Sequence, residues 1–173
     1  MARRARQGGE LLARACAAHK GLRVVDATAG LGRDASLLAA AGAQVVAIEH
    51  QPALAFWLRE NLNAAGLSIP VVEANAEDYL RANPCDVVYL DPMFPHRGKS
   101  AAVGAESRVL QAFAAPPSDQ DQSALLDAAI AACVYRVVVK RPIKAPALAG
   151  RTPSVSLRGK AVRFDIYGKA KLP

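Results

Sequence analysis

The 173-residue chain carries 22 Lys and Arg against 15 Asp and Glu, a formal net charge of +7, and is 52% hydrophobic. That length supports one domain with a substantial core, and the composition excludes a disordered chain. No apolar run reaches bilayer length, and the basic start Met1-Ala2-Arg3-Arg4-Ala5-Arg6 is followed by no apolar stretch of the secretory kind. The three scattered cysteines, Cys16, Cys85 and Cys133, form no disulfide framework and no zinc spacing, which predicts a reducing, cytoplasmic setting and no metal. Residues 1–173 read as a single domain, with 1–8 as a mobile basic tail.

Strand and helix patterns alternate along the chain. A helix is predicted over Gly8 to His19, ending near Gly21. Arg23 to Asp26 reads as a short buried strand, and Arg33 to Ala41 as a helix closed by Gly42. Gln44 to Glu49 is a second strand, after which Pro52 suits the first turn of a helix. Leu54, Trp57, Leu58 and Leu62 give that helix an apolar face, with Trp57 as core, and Gly66 ends it. Ile69 to Glu73 is strand three, a short helix runs to Arg81, and Asp86 to Leu90 is strand four. A Gly/Ser/Pro-containing stretch follows, about Asp91 to Ser118, of a length that is usually functional. Ser118 and Asp121 form a capping box for a helix that turns Leu125, Leu126, Ala129, Ile130 and Cys133 inward. Arg136 to Lys140 is strand five, and Val155 to Leu157 with Val162 to Tyr167 reads as a closing hairpin. This order predicts an α/β, Rossmann-like fold: a doubly wound, mostly parallel sheet with a C-terminal antiparallel hairpin, the outline of a class I methyltransferase.

In such sheets ligands sit beyond the carboxyl ends of the strands. The turns after Asp26, Glu49, Glu73 and Leu90 all fall there. Gly30-Leu31-Gly32 lets backbone pass close to a ligand. Glu49 can accept both hydroxyls of a ribose, Asp26 can reach an ammonium, and Asn75 can read an adenine edge. Gly30-x-Gly32-x-x-Ala35, with Glu49 downstream, also satisfies the dinucleotide fingerprint, so an NAD enzyme competes. Two features weigh against it. Asp26 stands four residues before the first glycine, near a cofactor amine rather than a pyrophosphate, and strand four delivers Asp91-Pro92-Met93-Phe94. The first turn therefore points to S-adenosylmethionine.

The second turn carries the chemistry. An exocyclic nucleobase amine is a poor nucleophile, because its lone pair is delocalised into the ring. Asp91 can accept one of its N–H groups, Pro92 stiffens the turn, and Phe94 offers a stacking face. Holding the amine in line with a sulfonium methyl supplies rate through orientation. The turn alone does not separate adenine N6, cytosine N4 and guanine N2. A plain turn, or a non-catalytic RNA-binding or assembly module on the same fold, remains the alternative.

The segments 26–34 (Asp-Ala-Thr-Ala-Gly-Leu-Gly-Arg-Asp), 88–96 (Val-Tyr-Leu-Asp-Pro-Met-Phe-Pro-His), Lys99-Ser-Ala101, 137–142 (Val-Val-Val-Lys-Arg-Pro) and 163–167 (Arg-Phe-Asp-Ile-Tyr) together resemble the RsmJ-type 16S ribosomal RNA methyltransferases. The resemblance runs from about Gly9 to Tyr167. It implies a guanine-N2 methyltransferase of small-subunit ribosomal RNA, acting on the RNA or the assembling particle. It further implies cofactor contacts at Arg33-Asp34, Glu49-His50, Asn75-Ala76 and Asp91. Two pairs depart from the family pattern, which has Arg where His50 stands and Ser-Ser where Asn75-Ala76 stand. The family's additional N-terminal region is also missing here, which predicts weaker RNA binding. His96, Arg97 and Lys99 after the catalytic turn, and Lys140 and Arg141 at the end of strand five, are candidate phosphate contacts; a solvated loop is their alternative.

Overall fold

The computed structural model describes residues 2–92 and 118–173. Seven strands form one sheet: β1 (Arg23–Asp26), β2 (Gln44–Glu49), β3 (Val71–Glu73), β4 (Cys85–Leu90), β5 (Cys133–Pro142), β6 (Val155–Arg158) and β7 (Val162–Gly168). Around it lie α1 (Ala2–Ala15), α2 (Arg33–Ala40), α3 (Pro52–Ala64), α4 (Ala76–Ala82) and α5 (Asp119–Ala132). The strand order is β3-β2-β1-β4-β5-β7-β6. The first five strands pair in parallel, while β7 pairs antiparallel with both β5 and β6. The expected hairpin is therefore present, with its second strand inserted next to β5 and its first at the sheet edge. None of the helices is long and apolar enough to cross a membrane, among the described residues.

Alternation along each strand feeds two cores. Val24, Val45, Val87, Tyr89 and Val138 pack with Leu12, Leu38, Leu58 and Leu62 of α1, α2 and α3. Their neighbours Val25, Ile48, Val88, Val137 and Val139 pack with Leu80 of α4 and Leu126 and Ala129 of α5. Two covered faces explain why the strands read as continuous apolar runs.

Several boundaries move for identifiable reasons. β3 begins at Val71 because Pro70 has no N–H to give the ladder; its carbonyl accepts from Ala47 N–H at 2.9 Å. α1 starts at Ala2 and so takes in residues that the sequence leaves as a tail. The Ser118–Asp121 capping box forms as expected. Trp57 is a correction: it is 54% exposed, while Leu54, Ala55, Leu58 and Leu62 are buried. At 3.6 residues per turn the buried set centres about 110° from Trp57, and Ala55 takes the inward position instead. Trp57 stands edge-on to Phe56, also exposed, with ring centroids 6.0 Å apart.

Candidate active site

The turn after β1 is clamped by both neighbouring strands. Ala27 N–H donates to the Tyr89 carbonyl of β4 at 3.0 Å, and Ala29 N–H to the Ile48 carbonyl of β2 at 3.1 Å. Gly30 and Gly32 both adopt the left-handed region, at φ 53° and 83°. Glu49, buried at the end of β2, accepts Gly30 N–H on Oε2 at 3.1 Å and Gln51 N–H on Oε1 at 2.9 Å. The carboxylate has further lone pairs to offer a ligand. His50 Nδ1 lies 3.3 Å from Glu49 Oε1. Gly32 is needed for a second reason: a Cβ there would lie 2.4 Å from Cδ1 of Leu58, so the turn's fit against α3 also demands glycine.

The two signature turns touch through one hydrogen bond. Asp91 N–H donates to Thr28 Oγ1 at 2.6 Å. Period-two alternation then sorts the side chains. Asp26 follows Val24, Asp91 follows Tyr89 and Lys140 follows Val138, and all three leading residues belong to the core under α1, α2 and α3. Asp34, in the first turn of α2, meets that set from above the sheet. Lys140 Nζ donates to Asp34 Oδ2 at 2.7 Å and to Asp91 Oδ2 at 2.8 Å, and Tyr89 OH donates to the same Asp34 oxygen at 2.6 Å.

The electrostatics follow from this crowding. Burial, then the nearby Asp34 carboxylate, push the Asp26 carboxyl up to about 8. Desolvation also raises Asp91, against the lowering pull of Lys140. For Lys140, desolvation opposes the charge, but Asp91 and Asp34 more than offset it and hold the ammonium above its usual range.

Asp26, Asp34, Asp91 and Lys140 thus form one cluster, with Glu49 and the glycine turn beside it. Arg33 and Ala76 are the first residues of α2 and α4. Asn75 caps α4, its Oδ1 accepting from Glu77 and Asp78 N–H at 2.8 and 3.2 Å. That cap engages the amide oxygen on the protein's own backbone and leaves the amide nitrogen for a ligand. Pro92 is buried at the end of the second turn. Arg141 is a correction. It is 2% exposed, on the opposite face from Lys140, with Nε donating to the Pro146 carbonyl at 3.0 Å, so the expected phosphate contact is closed to it. Lys140 is turned inward onto two carboxylates rather than outward. Phe94, His96, Arg97 and Lys99 lie outside the described residues. Sequence reasoning missed Thr28 and Tyr89. The signal for Thr28 was a hydroxyl inside the glycine turn itself.

Comparison with known proteins then decides the family. A family model described as "Putative SAM-dependent methyltransferase" matches residues 1–169. The ribosomal RNA small subunit methyltransferase J of Stutzerimonas stutzeri is 46% identical over 178 residues, covering 95% of this chain and 68% of that protein. The chain belongs to this family. The Pseudomonas aeruginosa protein of the same name is 44% identical over 95% of this chain and 67% of its own length. A crystal structure of a SAM-dependent methyltransferase from Neisseria gonorrhoeae superposes with a TM-score of 0.76 at 35% identity, covering 93% of this chain and 67% of that one. A 16S rRNA N2 methyltransferase from Thermus thermophilus, in complex with AdoMet and guanosine, has a TM-score of 0.66 at 19% identity, over 93% of this chain and 41% of that one; it supports the fold.

The family depends on S-adenosylmethionine. The residues present fit that donor. Two carboxylates, Asp34 and Asp91, share the single Lys140 ammonium, and that excess of acid suits a ligand with ammonium and sulfonium charges. The left-handed glycine turn and the Glu49 carboxylate lie beside them, as a nucleoside requires.

Proposed function

We propose that this chain methylates the exocyclic N2 of a guanine in small-subunit ribosomal RNA, free or in the assembling particle. The observation that carries the proposal is the Asp91 carboxylate, oriented at the end of β4 by Lys140 and by the Thr28 bond to its own N–H. Family membership supplies the substrate class, since the relatives are named for ribosomal RNA of the small subunit.

S-adenosylmethionine, when bound, supplies a methyl group activated by its sulfonium. Asp26, Glu49 and the Gly30–Gly32 turn would hold it, with Arg33, Asp34, His50, Asn75 and Ala76 around its periphery. Asp91 accepts an N–H of the target amine and fixes the direction of its lone pair, which supplies rate through orientation. The proton that the alkylated amine then releases leaves past Asp91, whose side chain is 39% exposed. Pro92 limits the freedom of that turn. We assign Phe94 to base stacking and His96, Arg97 and Lys99 to phosphates, from sequence. The whole chain acts as one catalytic domain, and its place of work is the cytoplasm.

The test is incubation with isotopically labelled S-adenosylmethionine and undermodified small-subunit RNA, followed by nucleoside analysis. Labelled N2-methylguanosine is expected, and loss of it in Asp91→Ala at saturating donor. Label on adenine or cytosine would move the reading to another amine, and no label in any nucleoside would leave a non-catalytic RNA-binding module.

A further inference from the structure

We propose that Lys140 is the positioning residue of this site, tying Asp34 of the cofactor turn to Asp91 of the catalytic turn so that Asp91 is held ionised and aimed. The proposal rests on the function given above, because it assigns Lys140 to the same reaction.

The geometry follows from register. β4 and β5 pair Leu90 with Val139, so the next step along both strands sets Asp91 level with Lys140. Both side chains point to the face that carries α2. There the Lys140 ammonium reaches Asp91 Oδ2 and Asp34 Oδ2 together, at 2.8 and 2.7 Å. Asp34 is fixed in turn by Tyr89 OH, and Asp91 by its N–H to Thr28. A continuous chain of polar contacts therefore joins β4, α2, β5 and the β1 turn. Lys140 is the cation common to both ion pairs, and its side chain is only 26% exposed. An RNA phosphate would have to displace two carboxylates to claim it, so the ammonium serves the protein's own acids.

The chemistry needs this. Asp91 accepts an N–H most strongly as a carboxylate, and protonation would turn one of its two oxygens into a donor. The charged and titratable groups that act on Asp91 are Lys140 and, from the far face of β5, Arg141, together with Asp34 from α2, Tyr89 from β4 and Asp26 from β1. Desolvation and Asp34 favour the neutral acid, whereas Lys140, ahead of Arg141, favours the anion. Without Lys140, Asp34 and Asp91 face each other as like charges, and Asp91 takes up a proton at higher pH.

The experiment compares Lys140→Met and Lys140→Arg with the parent protein. The Asp91 carboxyl is titrated by carbon NMR in the full chain without donor or RNA, its signal assigned by its loss in Asp91→Asn. In parallel, kcat is measured against pH with S-adenosylmethionine and small-subunit RNA both saturating. With Lys140→Met, the Asp91 midpoint and the acid limb of kcat should both rise by about one pH unit or more, and Lys140→Arg should return both toward the parent. Lys140→Gln repeats the comparison if the Met variant does not melt cooperatively. An Asp91 midpoint unmoved by loss of the ammonium would overturn the proposal, as would a variant that only raises KM for RNA. The NMR titration does not depend on methyl transfer. A parent protein that transfers no methyl group would therefore sink the functional reading and still leave the Lys140–Asp91 coupling measured.

Discussion

Thr28 Oγ1 accepts the backbone N–H of Asp91 at 2.6 Å, so the turn after β1 and the turn after β4 are held to each other directly. The contact spans 63 residues of sequence and fixes the backbone from which the Asp91 carboxylate projects. Thr28→Val keeps the shape and removes the acceptor. The stranded N–H should cost about 1–3 kcal/mol in urea unfolding, and turnover should fall more than donor affinity. Unchanged stability and turnover would reduce Thr28 to a filler of the turn.

Asp26 makes stability depend on pH in a defined direction. Its carboxyl is pushed up to about 8 in the folded protein, against about 4 in an unfolded chain. Between those values the native state keeps a proton that the unfolded state releases. Stability therefore falls as pH rises through that window, by up to about 1.4 kcal/mol per unit. Asp26→Asn is neutral throughout and can still accept the Thr28 N–H that Oδ1 takes at 3.2 Å. Its stability relative to the parent should improve steadily from pH 5 to pH 8. A difference independent of pH would mean that Asp26 ionises like an ordinary carboxyl.

Glu49 anchors Gly30 and Gln51 N–H, and we assign it a second duty toward the donor. Glu49→Ala should weaken binding of the demethylated donor product by about 1–3 kcal/mol in calorimetry, the scale of lost charge-assisted hydrogen bonds. It should also lower the melting temperature. Preferential binding of NAD by the parent protein would overturn the donor assignment.

Gly32 stands at φ 83°, and an added Cβ would lie 2.4 Å from Leu58 Cδ1. Gly32→Ala should destabilise by about 2–5 kcal/mol through backbone strain and overpacking together. In a double-mutant cycle with Leu58→Ala, the pair should cost less than the sum of its members. Additive losses would show that strain alone is at work.

Salt dependence separates two lysines that look alike in sequence. Lys99→Ala should flatten the slope of RNA affinity against salt by about one unit if Lys99 neutralises a phosphate. Lys140→Met should leave that slope unchanged, because its charge is spent on Asp34 and Asp91. A flatter slope for Lys140→Met would restore it as a phosphate contact.

The sequence by itself determined the alternation of strands and helices, the sheet class and the two loaded turns. Those features are local: apolar runs of strand length, glycines at left-handed positions, a capping box and Pro52 at a helix start all act within a few residues. It also placed Asp26, Glu49 and Asp91 at strand ends, since a parallel sheet puts those ends on one edge. Only the tertiary structure decided what these groups meet. Neighbouring positions on a strand face opposite ways, so Lys140 and Arg141, adjacent in sequence, part company: one ties two carboxylates and the other is buried beneath the loop at Pro146. Trp57 satisfied the helical period yet stays exposed, because Ala55 faces inward in its stead. The Thr28–Asp91 bond was invisible for the same reason. Its partners come from the turns after β1 and β4, strands that become neighbours only when the sheet is assembled.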